Sequence, residues 1–377
     1  MKLTRIAQVG AIVAVGAIAL AGCSSNTSGG GSTGTPSASS SDAASVTSNV
    51  DPSLTGTITA GGSSAQGNAE KAWITAYNAQ VKGVTVNYDQ SQGSGGGVTN
   101  FLSGAYDFAG SDSPLNADQT TQSAAQCTEG GVNIPVYLDG VAIIFNIPGV
   151  TSLKLSGETI AKIFNLQITD WSDPAITADN GTALPAGAIT TVARSDGSGT
   201  TQNFTNYLAA TQAANWPYPA ANSWPVSGNV SLQKGGSGVV NTVQSGTGTI
   251  GYADHSAIGQ LNSASIIQDG TPIAFTPEAV TETFAVAAVS ASNGVPGDLS
   301  MKFDYTKLTT ETYPIPLASY AVLCSTFKNA EQATLTTNYL GFVASTAGQN
   351  VAAKNAGSAP LPSSILEQAQ KTLAAIK

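Results

Sequence analysis

Charge is scarce in this chain. Of 377 residues, 10% are Asp, Glu, Lys or Arg, well below the quarter usual in globular proteins. The balance is acidic, at −9, which argues against nucleic acid or an anionic membrane surface as partner. Histidine is nearly missing, with His255 standing alone. One His and no Cys/His cluster leave nothing arranged like a zinc site, and no metal or other cofactor is expected. The Gly-rich turns lack the Lys-Ser/Thr pair of a phosphate-loop NTPase. They fail the dinucleotide fingerprint too: Gly93-Ser94-Gly95 is followed by Val98 where a third glycine is needed, and Gly197-Ser198-Gly199 by Gln202. The G-x-S-x-G elbow of a serine hydrolase is absent. Ser231/Lys234 and Ser325/Lys328 match S-x-x-K without its partner motifs. His255 beside Asp254 therefore reads as a surface or capping residue rather than a triad base.

What is present begins with a targeting segment. Lys2 and Arg5 precede an apolar run from Ile6 to Leu20, too short for an ordinary transmembrane helix. Residues 1–22 read as a signal peptide. The run ends in Leu20-Ala21-Gly22-Cys23, which looks like a bacterial lipoprotein cleavage box with Cys23 as the lipidated residue. The alternative is an ordinary signal peptide beside a chance cysteine. Removing Lys2 and Arg5 takes the net charge from −9 to −11. Residues 23–50 are almost all Ser, Gly, Thr, Ala and Asn and read as a disordered tether with a root-mean-square reach of roughly 28 Å. Cys127 and Cys324 remain. Outside the cytoplasm they are expected to form a disulfide, whose long loop gives about 5 kcal/mol in a chain-entropy treatment. Two buried free thiols are the other possibility.

Three stretches share a design of strand, Gly/Ser turn and helix. In the first, Ala188 to Val192 reads as a strand, Arg194-Ser195-Asp196-Gly197-Ser198-Gly199-Thr200 as a turn, and Phe204, Tyr207 and Leu208 as a helix face. Ser198 or Asp196 is the candidate N-cap. In the second, Thr57-Ile58-Thr59 leads through Gly61-Gly62-Ser63-Ser64-Ala65 to a helix marked by Ala69, Trp73 and Tyr77. In the third, the strand 84–88 leads through a turn at 92–97 to Val98, Phe101 and Leu102. Free N–H groups at a helix start favour an anion, and Arg194 adds a planar, permanently charged fork. Three such units aimed at one point suggest an anion site.

These residues resemble the phosphate-binding proteins of Pst-type ABC transporters. The resemblance rests on Arg194 to Thr200, Gly93 to Gly97, Asp107 to Leu115 and Asn146-Ile147-Pro148-Gly149. It continues in Ile163-Phe164 with Trp171-Ser172-Asp173 and in Gly248-Thr249-Ile250-Gly251-Tyr252. It implies an α/β fold of the periplasmic-binding-protein kind, with two lobes and a ligand cleft between them. It also implies an extracytoplasmic, lipid-anchored, monomeric protein that binds inorganic phosphate and delivers it to permease subunits of an ABC transporter, without catalysis. Position by position, it assigns phosphate contacts to Ser64, the Ala65 backbone N–H, Ser94, Arg194, Ser198, Gly199 and Thr200. Asp112 is assigned the phosphate proton, and Asp196 the orientation of Arg194. Ala65-Gln66 departs from the family's Phe-Pro, which leaves the cleft edge more open. A phosphatase or a phosphate sensor on the same scaffold are the rival functions.

The alternation of strands and helices from Leu54 agrees with α/β. The run 135–147 is too long and apolar for one simple strand and reads as a crossing between domains. Tyr313-Pro314-Ile315 opens the return crossing. The expected lobes are 51–138 with 312–377, and 139–311. Helices are expected at 160–164, from Lys234-Gly235-Gly236 through Val243, and at 331–339 and 364–376.

Overall fold

The structure is a computed structural model, and residues 45–377 are described. β1 (Thr55–Gly62), α1 (Gly67–Asn78), β2 (Gly83–Asp89), α2 (Gly93–Leu102), β3 (Phe108–Ser111) and α3 (Ala117–Ser123) come first. β4 (Gly131–Asn146) is followed by β5 (Lys154–Ser156), α4 (Gly157–Phe164), α5 (Pro174–Asn180), β6 (Thr190–Arg194), α6 (Gly199–Thr211), β7 (Val230–Gln233), α7 (Gly235–Ser245) and β8 (Thr249–Asp254). β9 (Asn262–Ser263), β10 (Ser265–Gln268), β11 (Thr271–Ile273), α8 (Pro277–Ala287), β12 (Ala288–Ser290) and β13 (Met301–Phe303) lead to β14 (Pro316–Cys324). The last helices are α9 (Ala330–Val343), α10 (Thr346–Ala356) and α11 (Ser363–Ala375).

The main sheet has the order β2-β1-β3-β14-β4-β8-β6-β7, with β9 also on β4. Both ends are parallel: β1 pairs with β2 and β3, and β6 with β7 and β8. The middle is antiparallel, where β14 joins β3 to β4 and β4 joins β14 to β8. Here the sequence expectation is corrected. The long apolar run is one strand of 16 residues. It changes partner along its length, pairing with β14 up to Gly140 and with β8 from Val141. Every residue but Asn146 is buried, as in a strand covered on both faces.

Each half of the sheet carries its own aromatic packing. α1 lies against the C-terminal helices, with Tyr77 and Tyr339 rings 5.2 Å apart and Trp73 Nε1 donating to the Gly348 carbonyl at 2.7 Å. In the other half Phe164, Phe204 and Tyr252 interlock at 4.8–6.0 Å and pin α4 and α6 to β8. Cys127 and Cys324 are joined by a disulfide that closes a span of 197 residues.

The signal peptide and Cys23 lie outside the described residues. The end of the expected tether does not: Val46 is buried, and its N–H and carbonyl pair with Thr346 at the start of α10. α10 itself has no counterpart among the expected helices. Its residues are small and polar, with no apolar stripe to read.

Candidate anion site

Arg194 ends β6, where the Tyr252 hydroxyl accepts from its backbone N–H at 3.2 Å. The Phe164–Phe204–Tyr252 cluster holds that tyrosine, so core packing fixes the position of the arginine. The side chain is 2% exposed. Nε and one terminal nitrogen donate to the two oxygens of Asp196, at 2.8 and 2.5 Å. This bidentate pair leaves the other terminal nitrogen for Ser64 Oγ, 3.4 Å away. Burial works against the guanidinium's charge, but Asp196 outweighs it and the arginine's pKa is raised. Asp196 is likewise held below its usual range, because Arg194 and the Gly235 N–H overcome its burial.

Ser198 caps α6, its Oγ accepting from the Thr201 N–H at 3.1 Å. That bond settles the N-cap between the two candidates. Gly199 and Thr200 then form the buried first turn. Gly199 has to be glycine: a Cβ there would stand 2.5 Å from Asp112 Cβ, so α6 reaches the Asp112 loop with no room to spare.

Asp112 follows β3 and is buried. Ser63 and Ser319 donate to its Oδ1, the latter at 2.6 Å. Ser94 and Thr200 donate to Oδ2, both at the longer distance of 3.3 Å. Four hydroxyl donors suit a carboxylate, which only accepts. Burial still raises its pKa, with the hydroxyls and Arg194 acting in the opposite sense.

The expected turn at 92–97 needs one correction. Gly93 to Gly97 are the first turns of α2 rather than a loop before it. Glycine is demanded by neighbours more than by flexibility. Gly93 has φ +65° and faces Asp196, while a Cβ on Gly95 would meet Gly197 at 3.1 Å. The Gly95 N–H donates to the Gly197 carbonyl at 2.9 Å, so α2 and the Arg194 turn touch backbone to backbone. Cavities of about 320 and 410 Å³ flank the meeting point. Ser94, Asp112 and Asn203 line one, and Ser64, Gly235 and Gly236 the other.

The structure thus brings together Ser64, Ser94, Asp112, Arg194, Asp196, Ser198, Gly199 and Thr200. Ala65 lies beside them, but its N–H donates to Ser63 Oγ at 3.1 Å. It is fully buried rather than at an open cleft edge. Its neighbour Gln66 takes part in the site: Nε2 donates to Ser319 Oγ at 2.7 Å, and Ser319 donates onward to Asp112. Sequence reasoning misses Ser63, Ser319, Gln66 and Asn203, whose Nδ2 donates to the Asp112 carbonyl at 2.6 Å. Ser319 carries a signal, as the one serine inside the apolar run 315–324. The β14–β4 register shifts between Ser319 and Tyr320, with Val136 of β4 as the extra residue of a bulge opposite them.

His255 is neither capping nor free on the surface. Its ring stacks on Phe275 with centroids 3.6 Å apart, and burial pushes its pKa down to about 4. Among the described residues no group of three or more His, Cys, Asp or Glu side chains could hold a metal ion.

A family model described as the PBP superfamily domain matches residues 36–347. The chain is 37% identical over 344 residues to phosphate-binding protein PstS 2 of Mycobacterium tuberculosis, covering 89% of each. It is 35% identical over 350 residues to phosphate-binding protein PstS3 of Mycobacterium bovis, covering 90% of each. A phosphate-binding protein from Stenotrophomonas maltophilia shares the fold at a TM-score of 0.68, with 22% identity and coverage of 84% of this chain and 93% of that one. A putative phosphate ABC transporter substrate-binding protein from Clostridium perfringens, solved with bound phosphate, aligns at 0.59, with 19% identity over 81% and 100% of the two chains. These relatives and the two-lobed fold place the chain in the PBP superfamily, and it belongs there to the PstS family of phosphate-binding proteins.

Proposed function

We propose that this chain binds inorganic phosphate between its two lobes and delivers it to the permease of an ABC transporter. The observation that carries this reading is the pairing of opposites at one point. Arg194 and the start of α6 donate to an oxyanion, while Asp112, buried and acceptor-only, faces the same place. A carboxylate beside an anion is tolerable when the anion brings a proton. Phosphate near neutral pH carries one or two, and sulfate carries none. The long bonds from Ser94 and Thr200 are the weak side of the Asp112 ring. These hydroxyls turn to the ligand and free Oδ2 for the phosphate proton.

Ser64, Ser94, Arg194, Ser198, Gly199 and Thr200 supply the other contacts, and Asp196 orients the guanidinium. The Ala65 N–H joins them if it leaves Ser63. The lobes are 51–138 with 312–377, and 139–311. The partner change at Gly140–Val141 and the Val141 N–H bond to the Ile315 carbonyl, at 2.8 Å, support crossings there. Cys23 anchors the monomeric chain by a lipid to the outer face of the cell membrane. The chain acts as a carrier rather than an enzyme.

Titration calorimetry tests the reading. Phosphate and arsenate should bind one to one and compete, while sulfate should not bind. Sulfate binding as tight as phosphate, or steady turnover of a chromogenic phosphomonoester, would overturn it.

A further inference from the structure

A second buried carboxyl faces the same site without an assigned role. Asp254 ends β8 and is 1% exposed. Ser256 Oγ donates to its Oδ2 at 2.7 Å, but its Oδ1 has no hydrogen-bond partner. Buried polar atoms are almost always paired, so the bare oxygen calls for a ligand or a function. Its surroundings are specific. A methyl group on Gly236 would touch Asp254 Oδ1 at 3.4 Å and Ser64 Oγ at 3.3 Å, so the two oxygens flank the first turn of α7. The Gly236 N–H donates to Ser64 Oγ at 3.2 Å, and Arg194 reaches the same hydroxyl. Lys234, the N-cap, gives α7 no side-chain cap. The first turn of α7, the guanidinium, the Ser64 hydroxyl and the bare oxygen therefore converge.

We propose that Asp254 is a further ligand-contacting residue of the anion site, its carboxyl giving an O–H hydrogen bond from Oδ1 to the bound oxyanion. The proposal rests on the phosphate reading. The proton follows from the neighbours. Asp139 and Tyr137 approach from β4, Asp112 from the loop after β3, Arg194 and Asp196 from the end of β6. Lys234 precedes α7, and His255 is next in the chain. Arg194 is already paired with Asp196, and His255 is neutral. Asp139 accepts three hydrogen bonds, from the Gly140 and Ser256 N–H groups at 2.7 and 3.0 Å and from the Tyr137 hydroxyl at 2.9 Å. Two buried carboxylates side by side do not both ionise. Burial raises the pKa of both, and repulsion between carboxylates adds to it. The pair therefore shares a proton, and Asp254 Oδ1, the oxygen without a partner, is the one placed to present it to the ligand.

Asp112 and Asp254 then have complementary tasks: one accepts a proton-borne hydrogen bond from the ligand, and the other donates one. The donor is lost when the Asp139–Asp254 pair gives up that proton, at about pH 8, so binding above it must take up a proton. Calorimetry with inorganic phosphate on the whole chain tests this. Wild type is titrated first; failure to bind phosphate overturns the functional reading and the proposal with it. If wild type binds, Asp254→Asn, which keeps a donor and cannot ionise, should bind within about threefold of it at pH 7. Asp254→Ala should bind roughly 10–100-fold more weakly, as loss of a hydrogen bond to a charged group predicts. From pH 7 to 9 the wild-type affinity should fall relative to Asp254→Asn. In paired buffers of different ionisation enthalpy, wild type alone should take up the additional proton. The proposal is wrong if Asp254→Asn binds as weakly as Asp254→Ala, if it binds much more tightly than wild type, or if the pH profiles coincide. Should Asp254→Ala fail to fold, the Asn profile and the proton count decide.

Discussion

Asp112 and Asp254 are chemically the same side chain, equally hidden from solvent, on either side of Arg194. Their surroundings treat them oppositely. Asp112 has four hydroxyls turned toward it from four separate segments, at Ser63, Ser94, Thr200 and Ser319. Asp254 has one, from a residue two positions away, and an oxygen left bare. Burial pushes any carboxyl toward its neutral form, and each donor pushes back toward the charged one. A buried acidic residue therefore says little until its donors are counted. The contrast predicts that Asp112 governs selectivity, while Asp254 governs dependence on pH.

The strongest way to break the comparison is to remove the charge of Asp112. A site that requires a hydrogen-bond partner rejects the ligand lacking it by about 10⁴–10⁵. Asp112→Asn should weaken phosphate binding, admit sulfate, and narrow their ratio by several powers of ten in competition titrations. A ratio unchanged from wild type would mean that discrimination lies elsewhere, with Asp254 the next place to look.

A milder change acts on the position of the Asp112 ring and leaves the carboxylate intact. Gly199→Ala places a Cβ 2.5 Å from Asp112 Cβ, and α6 must retreat with Thr200. Overpacking of this kind costs about 1–3 kcal/mol, so phosphate affinity should drop by roughly 10–100-fold. The alkaline fall assigned to Asp254 should stay as in wild type. An affinity within twofold of wild type would show that the close approach of α6 is dispensable.

Much of this site is legible in the sequence because it is local. The Arg194 turn, the Ser198 cap and the three strand-to-helix units each lie within about twenty residues, and turn chemistry and helix periodicity speak at that range. What stays hidden depends on distant segments. Ser319 meets Asp112 across 207 residues, and Ser63 across 49. Among so many serines nothing local marks these two as donors. The bare oxygen of Asp254 is a statement about missing neighbours, which no sequence pattern records. β4 departs from expectation for the same reason: a length of 16 residues is strange for an isolated strand but ordinary for one that serves two halves of a sheet in turn.

Glu70 offers a control that touches none of the proposed ligand contacts, with the smallest effect of the set. It lies in α1, 2% exposed, and one hydroxyl, that of Tyr339, donates to it at 2.6 Å. In donor count it resembles Asp254 rather than Asp112. Burial, only partly offset by Tyr339, lifts its pKa from 4.5 to about 8. Since the folded value lies above the unfolded one, folding favours the protonated form. The stability this contributes is complete below pH 4.5 and is lost as pH rises to about 8 and beyond. Between pH 7 and 8 the loss is about 1 kcal/mol. Glu70→Gln cannot titrate, so its melting temperature should stay level over that interval while the wild type's declines, and phosphate affinity should be unchanged. Parallel declines would show that one hydroxyl is enough to keep a buried carboxyl ionised. In that case the proton assigned to Asp254 would lose its main physical support.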